Sequence, residues 1–217
     1  MAAGRASLKV CGVTHLDDID ACLEHRVDAI GLNLWPKSKR ALTVAEAKPL
    51  AQRVRDGGGA ASLVGVFVDP SPEEVKAAVE EIGLDAVQLH GDASPLPYAR
   101  LGFPWLWVVR GTPDLETLEI PSPAPAWILL DAHVPGYGGV GKTTDWSWAA
   151  TAVQRLDGAP VWLAGGITPD NAAAALRQVN PAGLDVASGA ERTGDPRRKD
   201  AAKIAALAAI CHNYPES

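Results

Sequence analysis

The chain has 217 residues, of which 47% are hydrophobic and 21% are charged, and this composition is typical of a folded globular protein rather than a disordered one. This length is enough for one sizeable hydrophobic core but short for two domains that each have their own core, so we expect a single domain over residues 1–217. A formal net charge of -6 argues against a general nucleic-acid-binding protein, which needs a basic surface.

Eight short apolar runs recur along the chain, and each is nearly continuous, as strands buried on both faces of a parallel sheet are. They cover residues 8–11, 29–34, 63–68, 86–89, 105–109, 127–130, 161–164 and 184–187. Amphipathic helical patterns lie between most of them, over residues 16–24, 44–55, 72–81, 169–179 and 200–210. Thr43, Ser71 and Thr168 are the expected N-caps of three of these helices. Residues 95–101 and 113–118 are poor helix formers.

Alternation of strand and helix predicts a parallel sheet, and eight such units predict an α/β protein with a compact (β/α)8 TIM barrel. A doubly wound open sheet is the alternative fold, and it usually has fewer strands and a nucleotide-binding loop after the first. Here the first strand is followed by Cys11-Gly12-Val13-Thr14. We therefore prefer the barrel.

Reactive side chains gather where the predicted strands end. They are Cys11, the segment 35–40, Asp69, Gln88, His90, Asp92, Arg110 and Asp131. A glycine-rich segment over residues 136–142 follows the sixth strand and is either a lid or an irregular turn. Because active sites of TIM barrels lie at the carboxyl ends of the strands, these groups predict one functional rim.

The last two strands end in small residues, Gly165-Gly166 and Ser188-Gly189, and a helical pattern follows each. Glycine lets a ligand approach backbone N–H groups closely, and a helix N-terminus favours an anion. In a barrel of this kind, a phosphate group binds after strands seven and eight. We therefore predict that Gly165, Gly166, Ser188 and Gly189 bind the phosphate of a small molecule.

Eight short motifs run in order through the chain and together form a specific pattern. They are Lys9-Val-Cys-Gly12, Pro36-Lys-Ser-Lys-Arg40, Val66-Phe-Val68, Val87-Gln-Leu-His-Gly91, Leu129-Leu-Asp-Ala132, Gly138-Gly-Val-Gly-Lys-Thr143, Ala164-Gly-Gly-Ile167 and Asp185-Val-Ala-Ser-Gly189. This set resembles the phosphoribosylanthranilate isomerase family of tryptophan biosynthesis. The resemblance implies a cofactor-free Amadori rearrangement of N-(5-phosphoribosyl)anthranilate to 1-(2-carboxyphenylamino)-1-deoxyribulose 5-phosphate.

That reaction needs a general acid at the ring oxygen and a general base for the proton on C2 of the sugar. The resemblance assigns Asp131 as the acid and Cys11 as the base. A free aspartate has a pKa near ~3.9 and a free cysteine near ~8.5, so both pKa values must be tuned. Lys9 shares a strand face with Cys11 and is a candidate for lowering the pKa of the thiol.

The remaining predicted contacts hold the substrate. The resemblance implies that Arg40 binds the anthranilate carboxylate. A guanidinium suits this role because its two outer nitrogens match the two oxygens of a carboxylate. Gln88 and His90 are predicted substrate contacts, although His90 also has a structural interpretation. Asp185 is predicted to accept a hydrogen bond from a ribose hydroxyl.

Three scattered cysteines without CxxC spacing predict no zinc site and a reducing compartment. The first seven residues have no signal-peptide pattern, and no apolar run approaches the roughly 20 residues of a membrane span. We expect a cytoplasmic protein, a monomer or homodimer, that uses no metal, cofactor, nucleic acid or membrane. Two alternatives stay open: a phosphate-binding barrel that acts on a different substrate, and one that binds phosphorylated ligands without catalysis.

Overall fold

The computed structural model describes residues 5–58, 60–92, 94–131, 145–156 and 159–214, and eight parallel strands form a closed barrel within it. The strands are β1 (Ser7–Cys11), β2 (Ala29–Asn33), β3 (Ser62–Val68), β4 (Ala86–His90), β5 (Trp105–Arg110), β6 (Trp127–Asp131), β7 (Val161–Leu163) and β8 (Gly183–Val186). Each strand pairs with the next in sequence, and β8 pairs with β1. The predicted TIM barrel is confirmed, and the strand boundaries agree within one residue at either end.

Seven helices and one small hairpin surround the barrel in the described residues. The helices are α1 (Leu16–Glu24), α2 (Val44–Asp56), α3 (Pro72–Ile82), α4 (Leu96–Ala99), α5 (Trp146–Arg155), α6 (Ala172–Val179) and α7 (Ala201–His212). The hairpin consists of β9 (Glu191–Arg192) and β10 (Asp195–Lys199), which pair antiparallel. Among the described residues, no helix has the length and apolar character needed to cross a lipid bilayer.

Local capping explains where two of the predicted helices begin. Thr43 and Ser71 each accept a hydrogen bond from the backbone N–H three residues on, and Glu46 and Glu74 bond back to the cap. These are complete capping boxes, which satisfy two otherwise unpaired N–H groups at each helix start. The predicted N-caps of α2 and α3 are confirmed.

The prediction that α6 begins after Thr168 is wrong, because this helix starts three residues later than expected, at Ala172. The side chain of Asn171 accepts from the Thr168 N–H at 2.8 Å and donates to the Gly166 carbonyl at 2.9 Å. These bonds hold the backbone from Gly166 to Asn171 in a turn. The seventh strand is therefore joined to α6 by a structured loop and not directly by a helix.

The barrel interior is filled by a small apolar cluster, separate from the larger layer between strands and helices. Its buried members are Ala29, Val64, Ala86, Leu106, Leu129, Trp162 and Ala164. Lys9 pairs with Ala29, and Cys11 pairs with Gly31. Because side chains two residues apart share a strand face, Lys9 and Cys11 point into the barrel, as does Asp131, two residues beyond Leu129.

Candidate active site

Glycines on two neighbouring segments make room around the thiol of Cys11. A Cβ at Gly31 would lie 2.9 Å from Cys11 Sγ, so a larger residue on β2 would displace the thiol. Gly12 has a positive φ of +73°, and a Cβ there would lie 2.2 Å from Arg40 Cδ. The side chain of Arg40 therefore crosses the backbone directly after Cys11, and the thiol and the guanidinium share one side of the rim.

Asp131 lies at the end of β6, on a different wall of the barrel from Cys11 on β1. In the closed strand order, β7 and β8 separate the two strands on one side and β2 to β5 on the other. Asp131 pairs in register with Arg110 and is partly exposed, as Cys11 is. The predicted acid and base therefore lie at the same end of the barrel, on strands that are not neighbours.

Several groups around the Cys11 thiol change its pKa in opposite directions. Burial has the largest effect and raises the pKa of Cys11, whereas the positive charges of Lys9, Lys199 and Arg40 lower it. The carboxylate of Asp185 raises it further, and the net shift is upward. The upward shift favours the neutral thiol of Cys11 at neutral pH, so these side chains alone do not supply the lowered pKa that a base requires.

Lys9 is the deepest charged group beneath the rim. Its side chain is 0% exposed, and its ammonium donates to Asp185 Oδ2 at 2.8 Å. Burial alone would lower the pKa of Lys9, but the neighbouring Asp185 and Cys11 raise it overall, so the lysine stays protonated. Lys9 shares the interior face with Cys11, as the strand alternation predicts.

Arg40 is paired with Glu191, which also lies near Lys199, and neither Glu191 nor Lys199 was predicted as a site residue. Arg40 is buried, and its Nε donates to Glu191 Oε1. The Lys199 ammonium lies 3.5 Å from the same oxygen and donates to the Ala187 carbonyl at 3.0 Å. Two cations share one carboxylate here, so the cluster has a net positive charge and suits an incoming anion.

Sequence position offered one signal for these residues. Glu191 follows the Ser188-Gly189 turn by two residues, and a charged residue directly behind a phosphate loop is a candidate site residue. The neighbouring cations Lys37 and Lys39 are exposed, as the sequence suggested.

Gln88 and His90 form a polar pair on the interior face of β4. Gln88 is 2% exposed, and its Nε2 lies 2.5 Å from His90 Nε2. Burial, together with the charges of Lys9 and Arg110, lowers the pKa of His90 to about 3. His90 is therefore neutral at physiological pH and suits hydrogen bonding to a ligand rather than proton transfer.

The two predicted phosphate-binding segments lie directly against each other. A Cβ at Gly189 would lie 1.8 Å from the Ile167 carbonyl oxygen, so the loops touch backbone to backbone. Gly165 and Gly166 both have positive φ, which a residue with a side chain rarely adopts. The structure thus brings Gly165, Gly166, Ser188 and Gly189 together at one place on the rim.

The elements behind these segments differ from the prediction of one helix after each. Ser188–Ala190 forms a single turn of 3-10 helix, followed by the β9–β10 hairpin, and α7 begins only at Ala201. The hairpin backbone is fixed by Asp18, whose Oδ2 accepts from the Lys199 N–H at 2.9 Å. Any anion bound here therefore meets the N–H groups of turns rather than the ends of two long helices.

Gly189→Ala is expected to weaken binding of inorganic phosphate about tenfold or more, because the added methyl forces the two loops apart and removes at least one charge-assisted hydrogen bond. Isothermal titration calorimetry measures this affinity. Gly194→Ala is the matched control, since a Cβ there meets nothing within 4 Å and adds only local backbone strain of about 1–2 kcal/mol. Equal affinities for the two variants would contradict the assignment.

The glycine-rich segment 136–142 lies outside the described residues, as does Ala132 of the fifth motif. Its sequence has the spacing of a phosphate-binding P-loop, but it follows the sixth strand of a barrel and not the first strand of an open sheet. Within the part of the chain that the structure describes, no three His, Cys, Asp or Glu side chains are grouped to hold a metal ion.

The closed barrel of eight parallel strands with surrounding helices defines a TIM-barrel protein, and Cys11, Arg40 and Asp131 lie at the carboxyl ends of its strands or in the loops that follow them. Residues 8–209 match the family model described as N-(5'phosphoribosyl)anthranilate (PRA) isomerase. The chain belongs to this family.

Individual relatives agree with the match. The chain is 41% identical over 204 residues to an N-(5'-phosphoribosyl)anthranilate isomerase from Myxococcus xanthus, covering 92% of this chain and 93% of the relative. It is similar to the crystal structure of phosphoribosyl anthranilate isomerase from Thermotoga maritima, with a TM-score of 0.82, 30% identity and coverage of 96% and 100%. A further isomerase structure, in complex with reduced 1-(o-carboxyphenylamino)-1-deoxyribulose 5-phosphate, aligns with a TM-score of 0.78, 26% identity and the same coverage.

Proposed function

We propose that this protein catalyses the Amadori rearrangement of N-(5-phosphoribosyl)anthranilate to 1-(2-carboxyphenylamino)-1-deoxyribulose 5-phosphate in tryptophan biosynthesis. The observation that carries the proposal is the placement of Cys11 and Asp131 on separate walls of one barrel mouth. The glycine loops of β7 and β8 and the buried Arg40 lie on the same rim. A sugar phosphate bearing an aromatic acid has an anionic group for each of these two positions.

The first step opens the ribofuranose ring. Asp131, protonated, donates its proton to the ring oxygen as the bond between that oxygen and C1 breaks. The lone pair on the anthranilate nitrogen forms a double bond to C1, which gives a protonated Schiff base. A carboxyl group must hold its proton for this step, and a ligand carrying two negative groups raises the pKa of a nearby carboxyl.

The second step moves the proton on carbon. Cys11, as the thiolate, removes the proton from C2, and the electron pair forms the C1–C2 double bond while the nitrogen regains its lone pair. The Cys11 thiol then gives its proton to C1 of the enolamine, the C2 hydroxyl loses its proton to water, and Asp131 regains a proton from water, which leaves the ketone. Two protons are taken up and two are returned, so both catalytic groups end as they began.

Substrate contacts follow from the charges around the rim. The phosphate is placed at Gly165, Gly166, Ser188 and Gly189, and the anthranilate carboxylate at the outer nitrogens of Arg40. Its Nε is engaged by Glu191, which leaves the fork of the guanidinium directed elsewhere. Asp185 is placed to accept a ribose hydroxyl, and Gln88 and His90 line the β4 side. These assignments are supported by position, burial and charge.

We place the reaction in the cytoplasm. All three cysteines are free, and Cys22 and Cys211 are buried, which suits a reducing compartment. The only partner that the proposed chemistry requires is the small phosphorylated substrate.

The test is a turnover assay on purified protein with freshly made phosphoribosylanthranilate, whose fluorescence falls as it is converted. We expect turnover in buffer that contains a metal chelator and no added cofactor. Binding of inorganic phosphate without any turnover would contradict the proposal and indicate a barrel that binds phosphorylated ligands without catalysis. Turnover of a different phosphorylated sugar in place of this substrate would contradict the substrate assignment alone.

A further inference from the structure

A buried ion pair lies beneath the rim, where the barrel interior is otherwise largely apolar. Lys9 on β1 and Asp185 on β8 are paired in strand register, and their charged atoms are 2.8 Å apart. Lys9 is 0% exposed and Asp185 6% exposed. Removing two charges from water costs several kcal/mol for each ion, and a buried pair often stabilises a fold no better than apolar residues of the same volume. Stabilisation of the fold therefore does little to explain why this ion pair is present.

The Lys9 ammonium also acts on the thiol of Cys11. The two residues lie two positions apart on one strand and share its interior face, and the charge of Lys9 lowers the pKa of Cys11. The charged groups that face Cys11 are Lys9 from its own strand, Asp185 from β8, Lys199 from β10 and Arg40 from the loop after β2. Among these cations, Lys9 has the largest effect on the thiol.

The two carboxylate oxygens of Asp185 differ in their hydrogen bonding. Oδ2 accepts from Lys9, whereas Oδ1 is buried and, within the described part of the chain, has no hydrogen-bond donor. Burying an acceptor that has no hydrogen-bond donor costs about 1–3 kcal/mol. A ligand group that donates to Oδ1 removes this penalty, which favours its binding. Asp185 precedes the Ser188-Gly189 segment, the proposed phosphate site, by three residues, and its strand β8 lies next to β1, which carries Cys11.

We propose that Lys9 is the positioning residue of the base Cys11, and that Asp185 couples the binding of a substrate hydroxyl to formation of the thiolate. In the free protein, the Asp185 carboxylate offsets the positive charge of Lys9 at the thiol. When a hydroxyl donates to Oδ1, part of the carboxylate charge is satisfied by that bond. The Lys9 ammonium then acts on Cys11 with less compensation, and the thiol proton leaves to solvent.

This coupling rests on the proposed function, since it assumes that Cys11 is the base, and it explains how a thiol with a raised pKa becomes one. The free enzyme keeps Cys11 neutral, and therefore less reactive towards alkylating agents and oxidants. Only the complex with a polyhydroxylated phosphate ester generates the thiolate. Cys11 thus acts as a base only when the substrate occupies the site.

The test is the pH dependence of Cys11 alkylation by iodoacetamide, measured with and without ribulose 5-phosphate as the probe. In the parental protein, the probe is expected to lower the apparent pKa of Cys11 relative to its value with inorganic phosphate, whose charge alone acts in the upward direction. The rate at high pH corrects both measurements for shielding of the thiol. Lys9→Met is expected to raise this pKa by about one unit or more with and without the probe, and Lys9→Arg to restore most of the shift. Lys48→Met, on the exposed face of α2, is the matched control and changes nothing.

Asp185→Asn separates the two parts of the proposal. We expect it to lower the pKa of Cys11 in the free protein, because the opposing charge is gone, and to abolish the further shift caused by the probe. The pH profile of kcat/KM is expected to move by the same amounts in each variant, which a purely structural role would not produce.

Two outcomes would overturn the inference: an unchanged Cys11 pKa in folded Lys9→Met, or a probe-induced shift that persists in Asp185→Asn. If Lys9→Met does not fold, Asp185→Asn and Lys9→Arg decide the question alone. Parental turnover by Cys11→Ala would instead refute the proposed base, while the alkylation measurements would still report the electrostatic coupling. Failure of the proposed function and failure of this inference are therefore distinguishable.

Discussion

Cys11→Ala and Asp131→Asn are each expected to lower kcat by about 10²–10⁴-fold, the range in which positioned acids and bases contribute to catalysis. Cys11→Ala removes the only group proposed to take the proton from C2. Asp131→Asn keeps the shape and hydrogen-bonding capacity of the side chain but has no acidic proton to give to the ring oxygen. The measurement is the rate at which the fluorescence of phosphoribosylanthranilate is lost under substrate saturation.

Product affinity provides the control for both variants. Neither side chain is assigned to the phosphate or the carboxylate, so the dissociation constant of the product is expected to stay within a few-fold of the parental value. Asp92→Asn, at an exposed carboxylate paired with Arg110 on the same rim, is the matched variant and is expected to keep most of the activity. Parental kcat in either catalytic variant would remove that residue from the mechanism.

Arg40→Met is expected to raise KM by about 10²-fold, because losing one partner of a buried charge pair costs on the order of 2–5 kcal/mol. The substitution removes the proposed contact to the anthranilate carboxylate and leaves Glu191 with only the more distant Lys199. Arg40→Lys is expected to recover only part of the loss, since an ammonium cannot match the fork of a carboxylate. Steady-state kinetics over a wide substrate range measures both variants.

Lys39→Met is the control for Arg40→Met. Lys39 precedes Arg40 directly but is exposed, so Lys39→Met is expected to change KM little. A simple loss of positive charge near the rim would affect both variants alike through long-range attraction of the substrate. If Lys39→Met and Arg40→Met raise KM equally, the specific contact to Arg40 is refuted and general electrostatic steering remains.

The barrel was predictable because its strands are buried on both faces. Continuous apolar runs such as Val64 to Phe67 have no other explanation at that length, and the Gly and Pro residues around them mark the ends. Helices preceded by a Ser or Thr with Glu three residues on were placed within one residue, since the capping box is a local feature.

The errors lie where tertiary contacts decide local structure. Thr168 and Pro169 form a good helix start in sequence, but Asn171 bonds to the loop backbone and delays α6. Helix α5 was not predicted, although Asp145 caps it by accepting from the N–H groups of Ser147 and Trp148.

The candidate site also contains features that the local sequence predicts and features that depend on tertiary contacts. Cys11, Asp131 and the glycine segments come directly after strands, so their common rim followed from the alternation of strand and helix. The pairing of Arg40 with Glu191 spans 151 residues, and that of Lys9 with Asp185 spans 176. Sequence spacing carries no signal for such pairs. Burial and Asp185 raise the pKa of Cys11, whereas Lys9, Lys199 and Arg40 lower it, and only the folded structure brings these groups together.

The most direct test of the account is hydrogen exchange at carbon, because the central claim is that Cys11 handles the carbon-bound protons and Asp131 the ring oxygen. The product, incubated with enzyme in deuterated water, is followed by proton NMR at its C1 methylene. We expect exchange with the parental protein and with Asp131→Asn, which still enolises the ketone, and none above background with Cys11→Ala. Exchange that survives in Cys11→Ala, or that requires Asp131 alone, would contradict the assignment of acid and base.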